Sequence, residues 1–257
     1  MAIIRTDKWL KDHEKPLEIC EKLTRFFHHT PASDIHNHLI QYGMYQESTK
    51  GSDTIEKLIH SKAWDIVKAE EKKLKESWDG PDIPIFIFPA EGRNKILYRE
   101  YNGKAGLTFK DKLFLFISDH NTKEEIQALF THEYNHVCRL EKVDKQEKDF
   151  VLLDHIILEG LAENAVRERL GVEHTAKWTS FYSERQLNKI WKDLILPHEQ
   201  LPPNHTKHAR ILYGFKLYPK MAGYSAGYFL VKNYMIDNEA SIHEILSLPS
   251  EKIAGIK

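Results

Sequence analysis

The sequence predicts an α+β protein in which a small sheet sits between long helical stretches. Three observations carry this. Apolar residues recur at helical spacing before residue 80 and again from residue 121 almost to the end. Between them, Ile85–Phe88, Lys95–Tyr101, Ala105–Phe109 and Leu113–Ser118 are short apolar or alternating runs parted by turn residues. At 257 residues, 41% of them hydrophobic, the chain is also long enough to bury a sizeable core.

Taken in order, residues 8–30 read as helical and end near His29-Thr30-Pro31, because proline disfavours helix at the residue before it. Residues 54–78 read as one long helix. Asp53 and Glu56 have capping-box spacing at its start, and Asp79-Gly80-Pro81 stops it. The four short runs predict a small, twisted, mostly antiparallel sheet over 85–118, with Asn102-Gly103 as a hairpin turn. Helices follow over 122–140 and 150–170, then a helical C-terminal lobe with a long loop marked by Pro197, Pro202 and Pro203. The domain organisation expected is an N-terminal helical segment, 1–80, packed on a second domain, 81–257.

Composition excludes several classes. The formal net charge is -1, so no bulk attraction to nucleic acid or an anionic membrane is expected. The run Glu70–Glu76 mixes both signs and reads as a solvated helix face. Cys20 and Cys138 do not make a disulfide framework and fit buried thiols in a reducing compartment. The start, MAIIRTDKWLKDHEK, meets charge before any apolar run, which reads as neither signal peptide nor membrane anchor. A cytoplasmic location is expected.

The chemistry concentrates in helix 122–140, which opens with Thr122 and Glu125 at capping-box spacing. Inside it lies His132-Glu133-Tyr134-Asn135-His136, an H-E-x-x-H match. Residues four apart share a helix face, so both imidazoles can reach one ion, and the adjacent glutamate can deprotonate a water there. Zinc suits imidazole and carboxylate donors and keeps a fourth position open. The helix's apolar stripe runs Ile126, Leu129, Phe130, Glu133, His136, Val137, Leu140. Glu133 and His136 thus occupy core positions, and burying a carboxylate unpaired costs several kcal/mol.

The next helix repeats the anomaly. Its stripe is Leu152, Ile156, Glu159, Glu163, Val166, Leu170, and its opposite face, Leu153, Ile157, Leu161 and Ala165, is apolar too. A helix apolar nearly all round is buried, so its two carboxylates need partners. Glu159 is the natural third metal ligand, beside a glycine, Gly160, that lets another backbone approach. Glu163, one turn on, can accept the free ring N–H of a ligating histidine. Gly171 is placed as the helix stop.

H-E-x-x-H followed by E-G-L-A-E on a second helix resembles the glutamate-zincin pattern. The fuller string, Gly106-Leu107-Thr108-Phe109 through Leu113–Ser118 to HEYNHVCRL and LEGLAENAV, is similar to the YjaZ-like family of predicted zinc-dependent proteases, over about residues 80–235. The resemblance implies a zincin-like metallopeptidase fold, an intracellular location and peptide-bond hydrolysis. Related zincins take an oxyanion donor from the C-terminal lobe, and Gly223-Tyr224-Ser225-Ala226-Gly227-Tyr228-Phe229-Leu230-Val231 resembles the stretch that supplies it. Tyr224 is favoured, then Tyr228, with His205, His208 and Arg210 as rivals. In such folds a strand near Leu113–Ser118 pairs with substrate backbone.

Asp34-Ile35-His36-Asn37-His38 matches a motif that opens metal-dependent amidohydrolase barrels, but no apolar strand precedes it and the chain lacks an alternating strand–helix rhythm. The reading is therefore a peptidase with one catalytic zinc ion, His132, His136 and Glu159 as ligands, Glu133 as base, and a peptide or protein substrate. The alternative is a protein of the same fold that binds metal or a partner without turnover. Oligomeric state is left open.

Overall fold

Pro16 divides the N-terminal helical stretch. A proline is tolerated in the first turn of a helix, where its missing N–H is not needed. Helix α1 (Thr6–Asp12) therefore precedes a separate α2 (Pro16–Leu23) and a 3-10 turn, Thr24–Phe26. The computed structural model describes residues 3–12, 15–46 and 51–256, so residues 13 and 14 of the expected helix lie outside it. The Asp34, His36 and His38 segment lies on helix α3 (Ala32–Gln41), not on a strand. Residues two apart on a helix diverge by roughly 200°, so these histidines do not converge as they would at a barrel mouth.

The single helix expected over 54–78 is two, α4 (Gly51–His60) and α5 (Ala63–Trp78). Lys62 takes the left-handed conformation (φ 60°) and the Ser61 hydroxyl donates to the Leu58 carbonyl at 2.7 Å, breaking the helix. Asp53 does not start it; its carboxylate pairs with Lys57 at 2.8 Å. Asp79, at φ 47°, does end α5. The charge run is not wholly solvated either. Glu70 is buried and accepts from Lys73 at 2.8 Å and Gln127 at 2.7 Å.

The sheet is mixed rather than mostly antiparallel. After β1 (Ile85–Pro89) the run Lys95–Tyr101 forms helix α6, followed by β2 (Ala105–Phe109) and β3 (Lys112–Ile117). Asn94 caps α6 by accepting the Leu97 N–H at 3.0 Å. Asn102 (φ 52°) and Gly103 (φ 69°) close it. Positive φ serves a helix C-cap as well as a hairpin turn, and here Asn-Gly does the former. The strand order is β1-β3-β2, with β1 and β3 parallel and β2 and β3 antiparallel. Every residue of β1 and β3 is buried. Because β3 is paired on both sides, it has no free edge to offer a substrate backbone; β2 lies at the edge.

Aromatic packing fixes the helices on this sheet. Phe86 and Phe114 stack at 4.7 Å between centroids, and Phe26 meets Phe86 edge-on at 4.9 Å. Thr6 donates to the Ile87 carbonyl at 2.6 Å and accepts from the Trp64 indole at 2.9 Å.

Helix α7 (Lys123–Lys142) follows, and the chain's division into two compact units, Met1–Tyr134 and Asn135–Lys257, falls within it. The second unit holds α8 (Leu152–Leu170), α9 (Glu184–Lys189), a wide π turn at Ile190–Ile195, α10 (Thr206–Tyr213), α11 (Ala222–Asp237), α12 (Ile242–Ile245) and α13 (Ser250–Ala254). Gly171 ends α8 at φ 100°. Among the described residues no helix is long and apolar enough to cross a membrane.

Helices α8 and α11 meet backbone to backbone. A Cβ on Gly160 would lie 2.3 Å from the Gly227 carbonyl oxygen, and one on Gly227 would lie 2.0 Å from that of Ile156. The Asn164 amide fastens the crossing, donating to the carbonyls of Gly160 at 2.8 Å and Tyr228 at 3.0 Å. Gly227→Ala is expected to force the helices apart and cost about 1–3 kcal/mol, read as a lowered Tm; an unchanged Tm would contradict this packing.

Buried Arg139 closes the C-terminal end of the second unit. Its guanidinium donates to the carbonyls of Leu246 at 2.7 Å and Leu248 at 2.6 Å. Burial pulls its pKa down to about 10, against the opposing charges of Asp154 and Glu251.

A candidate metal centre on two helices

Helix α7 begins with the reciprocal cap that its sequence calls for. Thr122 N–H donates to Glu125 at 2.9 Å, and Glu125 N–H donates back to the Thr122 hydroxyl at 3.2 Å. From that fixed start Ile126, Phe130, Val137 and Leu140 turn into the core, and Glu133 (8% exposed) and His136 (7% exposed) share the stripe. His132 and His136 lie one turn apart on this one helix, so their rings project from the same face.

Buried helix α8 brings the carboxylate. One donor atom from each of His132, His136 and Glu159 gathers so that all three lie within 4.8 Å of one another, the one such group of three among the described residues. The His136 Nε2 to Glu159 Oε2 distance is 3.7 Å. That is too long for a hydrogen bond. Two donors each about 2.0–2.1 Å from a single ion at the tetrahedral angle would sit ~3.4 Å apart. Two imidazoles and a carboxylate at this separation fit a zinc ion.

The glutamate of the motif turns elsewhere. Thr108 on β2 donates to Glu133 Oε2 at 2.7 Å and to the Glu133 backbone carbonyl at 3.1 Å. Gly106, two residues back on the same strand face, leaves room for the carboxylate. A Cβ there would lie 2.2 Å from Glu133 Cδ and 2.4 Å from Oε1. Neither residue was assigned a role from the sequence. The available signal was a glycine inside a strand, which marks close approach by another group.

The chain's residues 63–255 match the model of a family described as predicted Zn-dependent protease (DUF2268). The chain belongs to this family. It is also 37% identical over 254 residues to the uncharacterized protein YjaZ of Bacillus subtilis (strain 168), covering 98% of this chain and 97% of that protein. A second relative from the same organism, the uncharacterized protein YjfC, is 23% identical over 199 residues, covering 73% of this chain and 64% of the relative. No solved structure matches the chain at a significant level.

In this member of the predicted Zn-dependent protease family, the other sequence-predicted residues fall as follows. The Tyr224 hydroxyl hydrogen-bonds Glu159 and Tyr213; burial first, then the Glu159 charge, holds its pKa well above the ordinary phenol value. Tyr228 is packed in an apolar cluster with Trp178 and Met221, and burial raises its pKa. One oxygen of buried Glu163 accepts the Ala176 backbone N–H. Exposed His205 caps α10, its Nδ1 accepting the Lys207 N–H at 3.2 Å. His208 is buried edge-on against His155 at 4.9 Å, and burial, then the neighbouring histidines, pushes its pKa down to about 4. The Arg210 carbonyl accepts the N–H groups of Gly214 and Phe215.

Proposed function

We propose that this member of the family is a zinc-dependent peptidase with a zincin-like fold, acting on peptides or proteins in the cytoplasm. The observation that carries the reading is the gathering of His132, His136 and Glu159, with Glu133 between the two histidines in sequence and held at its carboxylate by Thr108. His132, His136 and Glu159 would hold the metal. A zinc ion bound there supplies Lewis-acid polarisation of a peptide carbonyl and activation of water near neutral pH.

The chain's own residues do the rest. Glu133 takes the proton of the attacking water and delivers it to the leaving amine. Thr108, by donating to one carboxylate oxygen, fixes the rotamer of Glu133 and leaves the other oxygen to act. The Tyr224 hydroxyl, placed beside Glu159 and Tyr213, turns from them to donate to the developing oxyanion. Glu163 accepts the ring N–H of a ligating histidine and fixes its tautomer. Buried Cys20 and Cys138 are not joined in a disulfide, which is consistent with a reducing cytoplasm.

Removing metal with a chelator should abolish cleavage of a peptide library, and stoichiometric zinc should restore it. If zinc binds with one-to-one stoichiometry and no peptide is cut, the reading without turnover replaces this one. Thr108→Val should keep zinc and lower kcat roughly 10-fold, the cost of about one charge-assisted hydrogen bond, with KM little changed. Thr108→Ser should recover most of the loss. A Thr108→Val variant as active as the wild type, with the loss appearing in Thr108→Ser instead, would show that Thr108 acts through packing alone.

A further inference from the structure

Apolar side chains on a surface are ordinary when scattered. The end of α10 and the loop that joins it to α11 carry three within five residues, Tyr213, Phe215 and Leu217, which are 39%, 54% and 99% exposed. The loop that displays them is tightly built. Met221 N–H donates to the Tyr213 carbonyl at 2.9 Å and closes its base, and Tyr218 N–H donates to the Phe215 carbonyl at 3.3 Å. Gly214 takes φ 74°, and a Cβ there would lie 1.9 Å from the Pro219 oxygen. Lys216 also holds a positive φ, 63°, at the tip. On the far side the Tyr182 hydroxyl donates to the Lys220 carbonyl at 2.7 Å.

The base of this loop is continuous with the candidate metal centre. Tyr224, hydrogen-bonded to Glu159, packs on Tyr213 with ring centroids 5.6 Å apart, and Tyr213 packs on Phe215 at 5.6 Å. Aromatic rings thus run from beside a candidate zinc ligand out to exposed Phe215, two residues before Leu217, the most exposed apolar side chain of the loop. A loop whose backbone is fixed loses little conformational entropy when a ligand covers it.

We propose that the Tyr213–Phe215–Leu217 surface is the subsite that selects the substrate, receiving a large apolar side chain of the peptide close to the scissile bond. This rests on the peptidase reading and names its substrate class: segments carrying leucine, phenylalanine or a similar residue beside the cleavage point. Such segments are buried in folded proteins and exposed in unfolded ones, so unfolded or extended chains would be preferred.

The test pairs two peptide series that differ only in one residue near the cleavage point, leucine or phenylalanine in one and serine or aspartate in the other. The zinc-loaded wild type should favour the apolar series in kcat/KM, and Phe215→Ser and Leu217→Ser should each shrink that ratio, together by roughly 10- to 100-fold. Both positions are exposed, and zinc content and Tm report whether either variant misfolds. In a Glu133→Gln background, affinity for an intact fluorescent apolar peptide should fall in parallel, which reads the subsite without turnover. A wild type that cuts peptides without apolar preference overturns the subsite alone. So does a preference that survives both substitutions, or variants that change only the oligomeric state. A wild type that binds zinc and cuts nothing overturns the peptidase reading and the subsite with it.

Discussion

Glu133→Gln should bind zinc as the wild type does and lose peptide hydrolysis by roughly 10²- to 10⁴-fold, the usual contribution of a positioned general base. The amide is nearly isosteric with the carboxylate and still accepts from the Thr108 hydroxyl, which lies 2.7 Å from Oε2 in the native protein. It cannot take a proton from water. Packing over Gly106 is unchanged, because the side-chain volume is the same. Metal analysis of the purified variant, alongside cleavage of a peptide library, separates the roles. Retained activity would remove Glu133 from the mechanism, and lost zinc would mean that the carboxylate supports the metal and not the proton transfer.

Glu159→Ala should have the second large effect, on metal affinity itself. It removes one of three protein donors and leaves two histidines, of which His136 is buried, to hold a divalent ion. The loss in a competitive chelator titration should exceed the 10- to 100-fold typical of a group that only orients a ligand. Glu163→Ala should fall within that smaller range, since its carboxylate also holds the Ala176 N–H and its loss loosens the segment after α8. The reverse order would exchange the two glutamates. Tyr224→Phe keeps the ring against Trp178 and Tyr213 and removes only the hydroxyl. It should retain stoichiometric zinc and lower turnover by about 10²- to 10³-fold, the cost of one oxyanion donor. Normal turnover would return Tyr224 to the role of a packing residue that braces Glu159.

Much of this molecule was legible in the chain because helical periodicity is a local signal. The cap at Thr122 and Glu125, the stripe through Ile126, Phe130 and Val137, and the stop at Gly171 all stand where spacing put them. The anomaly that marked the candidate site was also local: carboxylates at Glu133, Glu159 and Glu163 standing where helices bury apolar residues. Turn chemistry was less decisive. Asn102-Gly103 offers positive φ, which a hairpin and a helix end need equally, so Lys95–Tyr101 read as a strand and folded as α6. Ser61 and Lys62 broke a helix whose apolar spacing continued across them, because one left-handed residue leaves the composition pattern untouched.

The sequence by itself determined which side chains have to find polar partners: one histidine, His136, and three glutamates on helix faces too apolar to leave them unpaired. Only the tertiary structure decided what those partners are. Strand pairing placed β3 at the centre and β2 at the edge, and so brought Thr108 and Gly106 onto Glu133, 25 residues away in sequence for Thr108. The glycine crossing of α8 and α11 brought Tyr224 onto Glu159 and, through Tyr213, joined the exposed loop to the same site. The reason is physical. Burial preference is a property of each residue and is written along the chain, whereas contact between distant residues depends on which backbones can approach, and that is settled only when the elements pack.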